Sequence, residues 1–253
     1  MKLLHVLWTL LRSMLHIARG FWTIRTTFCK LPQAERERQV HAWAQRMLAI
    51  AGIELEVRGA APSTGPVLLV ANHISWLDIL VMHAAHYCRF ISKSDIQAWP
   101  VVSTLADGAG TLYIERESRR DAHRMVHQMA DRLKAGDVLA VFPEGTTGDG
   151  VTLKHFHANL VEAAIEAGAP VQPVALRFID AATGQTSFAP RYVDDDTLLQ
   201  SLWNTLTAPP LKAVVTFGAL QTADGRNRRE WAQALQQDVE ALRTTQAGGH
   251  ASD

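Results

Sequence analysis

Two cysteines among 253 residues, Cys29 and Cys88, make no disulfide framework, and no Cys-x-x-Cys pair offers a metal its usual spacing. A reducing compartment is the simpler expectation. Net charge is missing too: 25 basic residues balance 25 acidic ones, so no field over the whole protein argues for a nucleic-acid partner. Long apolar runs are short of what a membrane span needs. Leu3 to Leu11 is far below the ~20 residues required to cross a hydrocarbon core of ~30 Å. The chain has no internal repeat and no Gly-x-Ser-x-Gly elbow. His123 and His127 stand four apart without the glutamate of a His-Glu-x-x-His zinc site, which makes them surface histidines, and His155 and His157 read as loop residues. No metal site is therefore expected. One last scarcity is local: no acidic residue precedes Glu35, while Lys2, Arg12, Arg19, Arg25 and Lys30 all do.

What is present is ample material for a core, with 47% hydrophobic and 20% charged residues. Met1 to Phe28 is rich in Leu, Trp, Phe, Ile and Met and contains no proline, so a helix is expected. His5, Thr9, Arg12, His16, Arg19 and Thr23 recur at spacings of four and three, which gathers them into one stripe and leaves a wide apolar arc. Placing Arg12 and Arg19 at mid-bilayer would cost about 2.5–3.5 kcal/mol each. The expectation is a helix lying in one leaflet with its basic stripe at the headgroups. A cleaved signal peptide is not expected, because Arg12 interrupts the apolar stretch and no small-residue cleavage site follows. After Pro32 a second helix, Gln33 to Ala51, carries Val40, Trp43, Ala44, Met47, Leu48 and Ala51 on one face and ends at Gly52. Residues 1–52 thus read as a membrane-associating amphipathic helical hairpin, 53–245 as the main domain, and 246–253 as a disordered tail.

Strand patterns at Ile53 to Arg58, Pro66 to Ala71, Arg89 to Lys93, Gly110 to Arg116, Val138 to Phe142, Val171 to Phe178 and Lys212 to Phe217 alternate with helical ones. The helices are expected from Ser75, from Trp99-Pro100 to Gly108, at Asp121 to Lys134, Ala158 to Ala167, Thr197 to Thr207 and Arg228 to Arg243. This is an α/β fold with a mixed central sheet and flanking helices.

The most informative stretch is Asn72-His73-Ile74-Ser75-Trp76-Leu77-Asp78, where a buried strand hands over to a helix. Ser75 and Asp78 have the spacing of an N-cap and its third residue. The same spacing sets a carboxylate where it can fix the tautomer of the His73 imidazole and stabilise the cation formed when the ring takes a proton. Two later stretches add to it. Gly110-Thr111-Leu112-Tyr113-Ile114-Glu115-Arg116 is a strand ending in an arginine. Val138 to Phe142 opens onto Pro143-Glu144-Gly145-Thr146-Thr147-Gly148-Asp149-Gly150, a glycine-rich loop able to aim N–H groups at an anion.

Taken in order, these blocks resemble those of the glycerolipid acyltransferase family, which includes bacterial 1-acylglycerol-3-phosphate acyltransferases. The first is the His-x4-Asp of His73 and Asp78, the second resembles Gly110 to Arg116, and the third Phe142 to Thr146. A fourth, centred on a proline, resembles Val171 to Leu176. The resemblance covers roughly Ile53 to Phe178. It departs from the family pattern after the third block, where Thr147 and Gly148 stand in place of an arginine and a serine.

The resemblance implies transfer of a fatty acyl group from an acyl thioester to a lysophospholipid hydroxyl, with 1-acylglycerol-3-phosphate as the first choice and the lyso form of an ornithine lipid as the alternative. His73 would be the general base and Asp78 its orienting partner. Arg116, Glu144, Gly145, Thr146 and Thr147 would bind the acceptor, Arg116 because a guanidinium holds two phosphate oxygens in one plane. Glu144 would hold a substrate hydroxyl or Arg116 itself. N–H groups near the Ser75 helix start or the Gly145 loop would stabilise the oxyanion. No cofactor is implied. Coenzyme A or acyl carrier protein brings the thioester as co-substrate, and the other partners are membrane lipids, with the protein peripheral or monotopic on the cytoplasmic face of the inner membrane. Two rivals are a hydrolase using Ser75, His73 and Asp78 together, and a non-catalytic membrane-binding module that has kept the fold.

Overall fold

A computed structural model describes residues 2–114, 119–193 and 196–244. Helix α1 (Lys2–Thr26) runs into a 3-10 turn at Phe28–Lys30, and α2 (Gln33–Ala51) follows Pro32. Then come β1 (Glu54–Arg58), β2 (Val67–Ala71), α3 (Leu77–Ala85) and β3 (Arg89–Lys93). A second 3-10 turn, Ser94–Ala98, leads to α4 (Pro100–Gly108), β4 (Leu112–Ile114), α5 (Arg119–Lys134) and β5 (Val138–Val141). The chain continues through α6 (Asn159–Ala167), β6 (Val171–Asp180), α7 (Leu198–Thr207), β7 (Leu211–Phe217) and α8 (Arg228–Thr244).

The strands form one sheet in the order β1-β7-β6-β2-β5-β3-β4. Every pairing is parallel except β6 with β7, so the sheet is mixed as expected. Parallel neighbours need crossover connections, which coat both faces of the sheet with helices and bury its central strands on both sides. Strand β2 shows this directly, since all five of its residues are buried. Leu69 and Ala71 enter a core shared with Ala44 and Leu48 of α2 and Val81 and Met82 of α3. Leu68 and Val70 enter the opposite core, with Met129 and Leu133 of α5, Leu160 of α6 and Trp231 and Leu235 of α8.

Gly52 ends α2 as the sequence suggests. It sits at φ 71°, its N–H bonds Ala49 O at 3.3 Å and the next N–H, of Ile53, bonds Leu48 O at 2.9 Å. This is the paired bonding of a Schellman cap, and a β-carbon is strained at that φ.

The orientation of α1 corrects the expectation for its polar stripe. Thr9 is buried, and His16 turns toward α2, where its Nε2 lies 3.0 Å from Trp43 O and its ring stacks on the indole at 5.0 Å. Only His5 and Arg19 of the six stripe residues are exposed. Gly20 permits this approach, because a β-carbon there would meet Trp43 Nε1 at 2.6 Å. The apolar arc faces outward instead, with Leu4 72% and Trp22 69% exposed. Periodicity reveals a stripe but not which side of it the protein occupies.

At the contact of α2 with α3, His41 Nδ1 lies 2.9 Å from His83 O, and the His83 ring is buried. Burial, helped by the charge of His41, pushes the His83 imidazole from 6.5 down to about 4. The unfolded chain therefore binds a proton near 6.5 that the folded site refuses until about 4. Stability is complete above the first value and is lost as pH falls toward the second, by roughly 3 kcal/mol at 1.36 kcal/mol per unit. His83→Leu, which removes the group, is expected to flatten the fall of the urea midpoint over that window. An unchanged pH slope would show that another group carries the acid sensitivity.

Candidate active site

β2 and β5 lie side by side and parallel, and the site forms where the chain leaves their carboxyl ends, as ligand sites in such sheets do. Asn72, directly after β2, is buried and extends the sheet with its side chain. Its Nδ2 donates to Leu176 O at 3.1 Å and its Oδ1 accepts from Leu176 N at 2.7 Å. Sequence reading assigned Asn72 no role, because the partner strand lies over a hundred residues on. The amide fixes where the following loop begins.

His73 comes next, and both of its backbone groups are tied to the loop after β5. Its N–H donates to Glu144 Oε1 at 2.8 Å, and its carbonyl accepts from Gly148 N at 2.7 Å. The ring edge is held by Asp78, with Nδ1 2.8 Å from Oδ2. The ring face lies on Phe142, centroids 4.0 Å apart and planes within 6°, with Phe90 stacked behind at 5.4 Å. To bond the carboxylate, Nδ1 carries the hydrogen, which leaves the lone pair of the neutral ring on Nε2.

Asp78 does two things with one oxygen. Oδ2 takes the imidazole and also accepts from Ile74 N at 2.6 Å and Ser75 N at 2.9 Å, in a fully buried position. Helix α3 begins at Leu77 rather than at Ser75. Ser75 Oγ accepts from Leu77 N at 3.2 Å, and Asp78 N donates to the Ser75 carbonyl at 3.1 Å. The carboxylate half of a capping box is therefore formed, and the same atom orients the histidine. Its negative charge also lies at the positive end of the α3 dipole.

Glu144 has a backbone role that its sequence position does not announce. Its second oxygen accepts from Lys154 N at 2.8 Å, so the carboxylate bridges two backbone segments. The group is 5% exposed, and that burial pushes its pKa up against the pull of its two N–H donors. Gly145 N is bonded to Phe142 O at 3.1 Å. With Ser75 N on Asp78 and Gly145 N on Phe142, an oxyanion donor from either stretch must be a neighbouring N–H. Thr146 is exposed and Thr147 half-buried. The Thr147 carbonyl accepts from Lys154 Nζ at 2.9 Å, which sets an ammonium group beside the third block. From α8, Arg243 bonds the carbonyls of Gly150 and Val151 at 3.2 and 2.7 Å and fixes the far side of this loop.

The structure thus joins His73, Asp78, Glu144 and Gly145 in one cluster, with Thr146 and Thr147 at its rim. Arg116 lies outside the described residues, as does the tail at 246–253. His127, on α5, pairs through Nδ1 with Glu166 at 2.7 Å, away from the cluster.

Comparison with known proteins bears on this geometry. The family model described as Acyltransferase matches residues 53–177. A lyso-ornithine lipid O-acyltransferase of Pseudomonas aeruginosa is 36% identical over 214 residues, covering 83% of this chain and 81% of that protein. A 1-acyl-sn-glycerol-3-phosphate acyltransferase of Neisseria gonorrhoeae is also 36% identical, over 209 residues, covering 82% of this chain and 81% of that one. The crystal structure of the 1-acyl-sn-glycerophosphate acyltransferase PlsC from Thermotoga maritima superposes with a TM-score of 0.77, covering 99% of this chain and 98% of that one, at 18% identity. That last likeness concerns the fold alone.

Proposed function

This chain belongs to the acyltransferase family, and from that membership we propose that it transfers a fatty acyl group from a thioester to the hydroxyl of a lysophospholipid. The observation that carries the mechanism is the His73–Asp78 pair at 2.8 Å, with the histidine backbone fixed at both ends. Nε2 takes the proton of the acceptor hydroxyl as its oxygen attacks the thioester carbonyl. Asp78 stabilises the imidazolium that results. When the tetrahedral intermediate collapses, the carbon–sulfur bond breaks and the imidazolium proton passes to the departing thiolate. No protein nucleophile is required. Ser75, the nucleophile of the hydrolase alternative, is fully buried with its hydroxyl engaged by Leu77 N–H, which favours transfer. The donor is the thioester of coenzyme A or of acyl carrier protein.

For the acceptor, the first reading is 1-acylglycerol-3-phosphate. Arg116 supports it by residue type, and the Lys154 ammonium beside Thr147 supports it by position. Lyso-ornithine lipid is the second reading, favoured by Thr147, which bears no charge, and by the equal identity to relatives named for either acceptor. Purified protein offered both lysolipids, with each donor, and read by mass spectrometry separates the two. Under the phosphate reading Arg116→Ala is expected to raise the Michaelis constant for lysophosphatidic acid about 10–100-fold, the worth of a charge-assisted bond, while Thr147→Arg is tolerated. Good turnover of lyso-ornithine lipid with none of lysophosphatidic acid would remove the phosphate assignment and leave His73 and Asp78 in their roles.

Among the described residues no helix is long and apolar enough to cross a membrane. The outward apolar face of α1 supports residues 1–52 as a hairpin that rests in one leaflet. The cytoplasmic face of the inner membrane suits an enzyme supplied with acyl thioesters.

A further inference from the structure

Helix α7 repeats the reversal seen in α1. Its fully buried positions are Ser201 and Thr205, whereas Leu199 and Trp203 are 78% and 45% exposed. No residue from 198 to 207 is ionisable. A helix at a water boundary normally shows the opposite arrangement. The buried hydroxyls are satisfied within the protein: Ser201 Oγ lies 3.2 and 3.0 Å from the carbonyls of Pro190 and Arg191, and Thr205 donates to Ser201 O at 2.7 Å. Ser201 Oγ also accepts from Trp76 Nε1 at 3.1 Å, which couples α7 to the loop that carries His73.

α7 packs against α1. The two helices therefore adjoin, each turned apolar side out, and every charged residue of α1 is basic. Apolar area beside the basic side chains of α1 is the complement of an anionic lipid surface. We infer that α7 is a second lipid-contacting element, which docks beside α1 on an anionic bilayer and brings the His73 loop to the plane from which the acceptor arrives. The inference rests on the proposed transfer to a lipid for its use, but the docking can be measured without it.

The test employs the full chain and its Leu199→Gln/Trp203→Gln variant, both positions being exposed and so separable from folding. Sedimentation with phosphatidylglycerol-containing vesicles is expected to show partition at least ~10-fold weaker in the variant, from the apolar area withheld from lipid. Turnover of a short-chain lysolipid dissolved as monomer should stay within about twofold of wild type, and turnover of acceptor embedded in vesicles should fall with the partition. Equal vesicle partition of the two proteins overturns the inference. So does a wild-type dimer that the variant breaks in ultracentrifugation while vesicle binding is unchanged, because a second copy would then cover α7. A wild type that acylates no lysolipid would refute the proposed function, and the partition ratio would still decide the role of α7.

Discussion

A folded His73→Ala protein is expected to lose about 10²–10⁴-fold in turnover, the usual worth of a positioned general base. The geometry separates this loss from a loss of binding. The substitution removes the imidazole but leaves the residue's N–H on Glu144 and its carbonyl on Gly148, so the loops on either side keep their places. The Michaelis constant for the acceptor should therefore change by less than about threefold while turnover collapses, the pattern of an interaction made only in the transition state. Steady-state kinetics at saturating donor, beside circular dichroism to verify the fold, read both quantities. Turnover like that of the wild type would end the mechanism.

Asp78→Asn should be nearly as severe in rate and should also weaken the fold. One oxygen receives the imidazole and two backbone N–H groups, all charge-assisted while the carboxylate is ionised. The amide can keep one oxygen there but loses the charge, and its NH2 group must occupy the position of Oδ1, a buried atom with no hydrogen-bond partner among the described residues. Turned the other way, it would aim donors at donors. In a Ser-His-Asp triad the same exchange lowers turnover by ~10⁴ through the wrong tautomer, and a comparable fall is expected here. Weakening the bonds to the charge should cost about 1.5–3 kcal/mol of stability, read as a lower urea midpoint. Retention of more than a tenth of wild-type turnover would show that the carboxylate only caps the helix.

How much of this could be read from sequence follows from distance along the chain. The His73–Asp78 pair was legible because both partners lie within one turn of a strand-to-helix junction, where spacing fixes geometry. The strands and helices were legible from periodicity, since a parallel sheet writes unbroken apolar runs and its crossovers write amphipathic ones. Glu144 was found, but its backbone bonds were not. Its ligands are the N–H groups of His73 and Lys154, and no side-chain pattern records where a backbone N–H from another strand will arrive. Asn72 was missed for the same reason. The outward turn of α1 was hidden for another, because a stripe of polar residues looks the same whether solvent or protein lies against it.

The ties that Glu144 and Gly148 make to the two ends of His73 bear on how the protein comes into being. Translation proceeds from the amino terminus, and α1, with its outward leucines and tryptophans, emerges before any strand has a neighbour. Residue 73 gains the partners of its N–H and carbonyl only when residues 144 and 148 have been made and β5 has settled against β2, a long-range parallel pairing of the kind that forms slowly. Under the proposed lipid role of α1, a nascent chain meets the membrane before its His73 is tied in place. The arrangement around His73 is completed by closure of the sheet, so a truncated product that ends before residue 144 lacks both of its backbone ties.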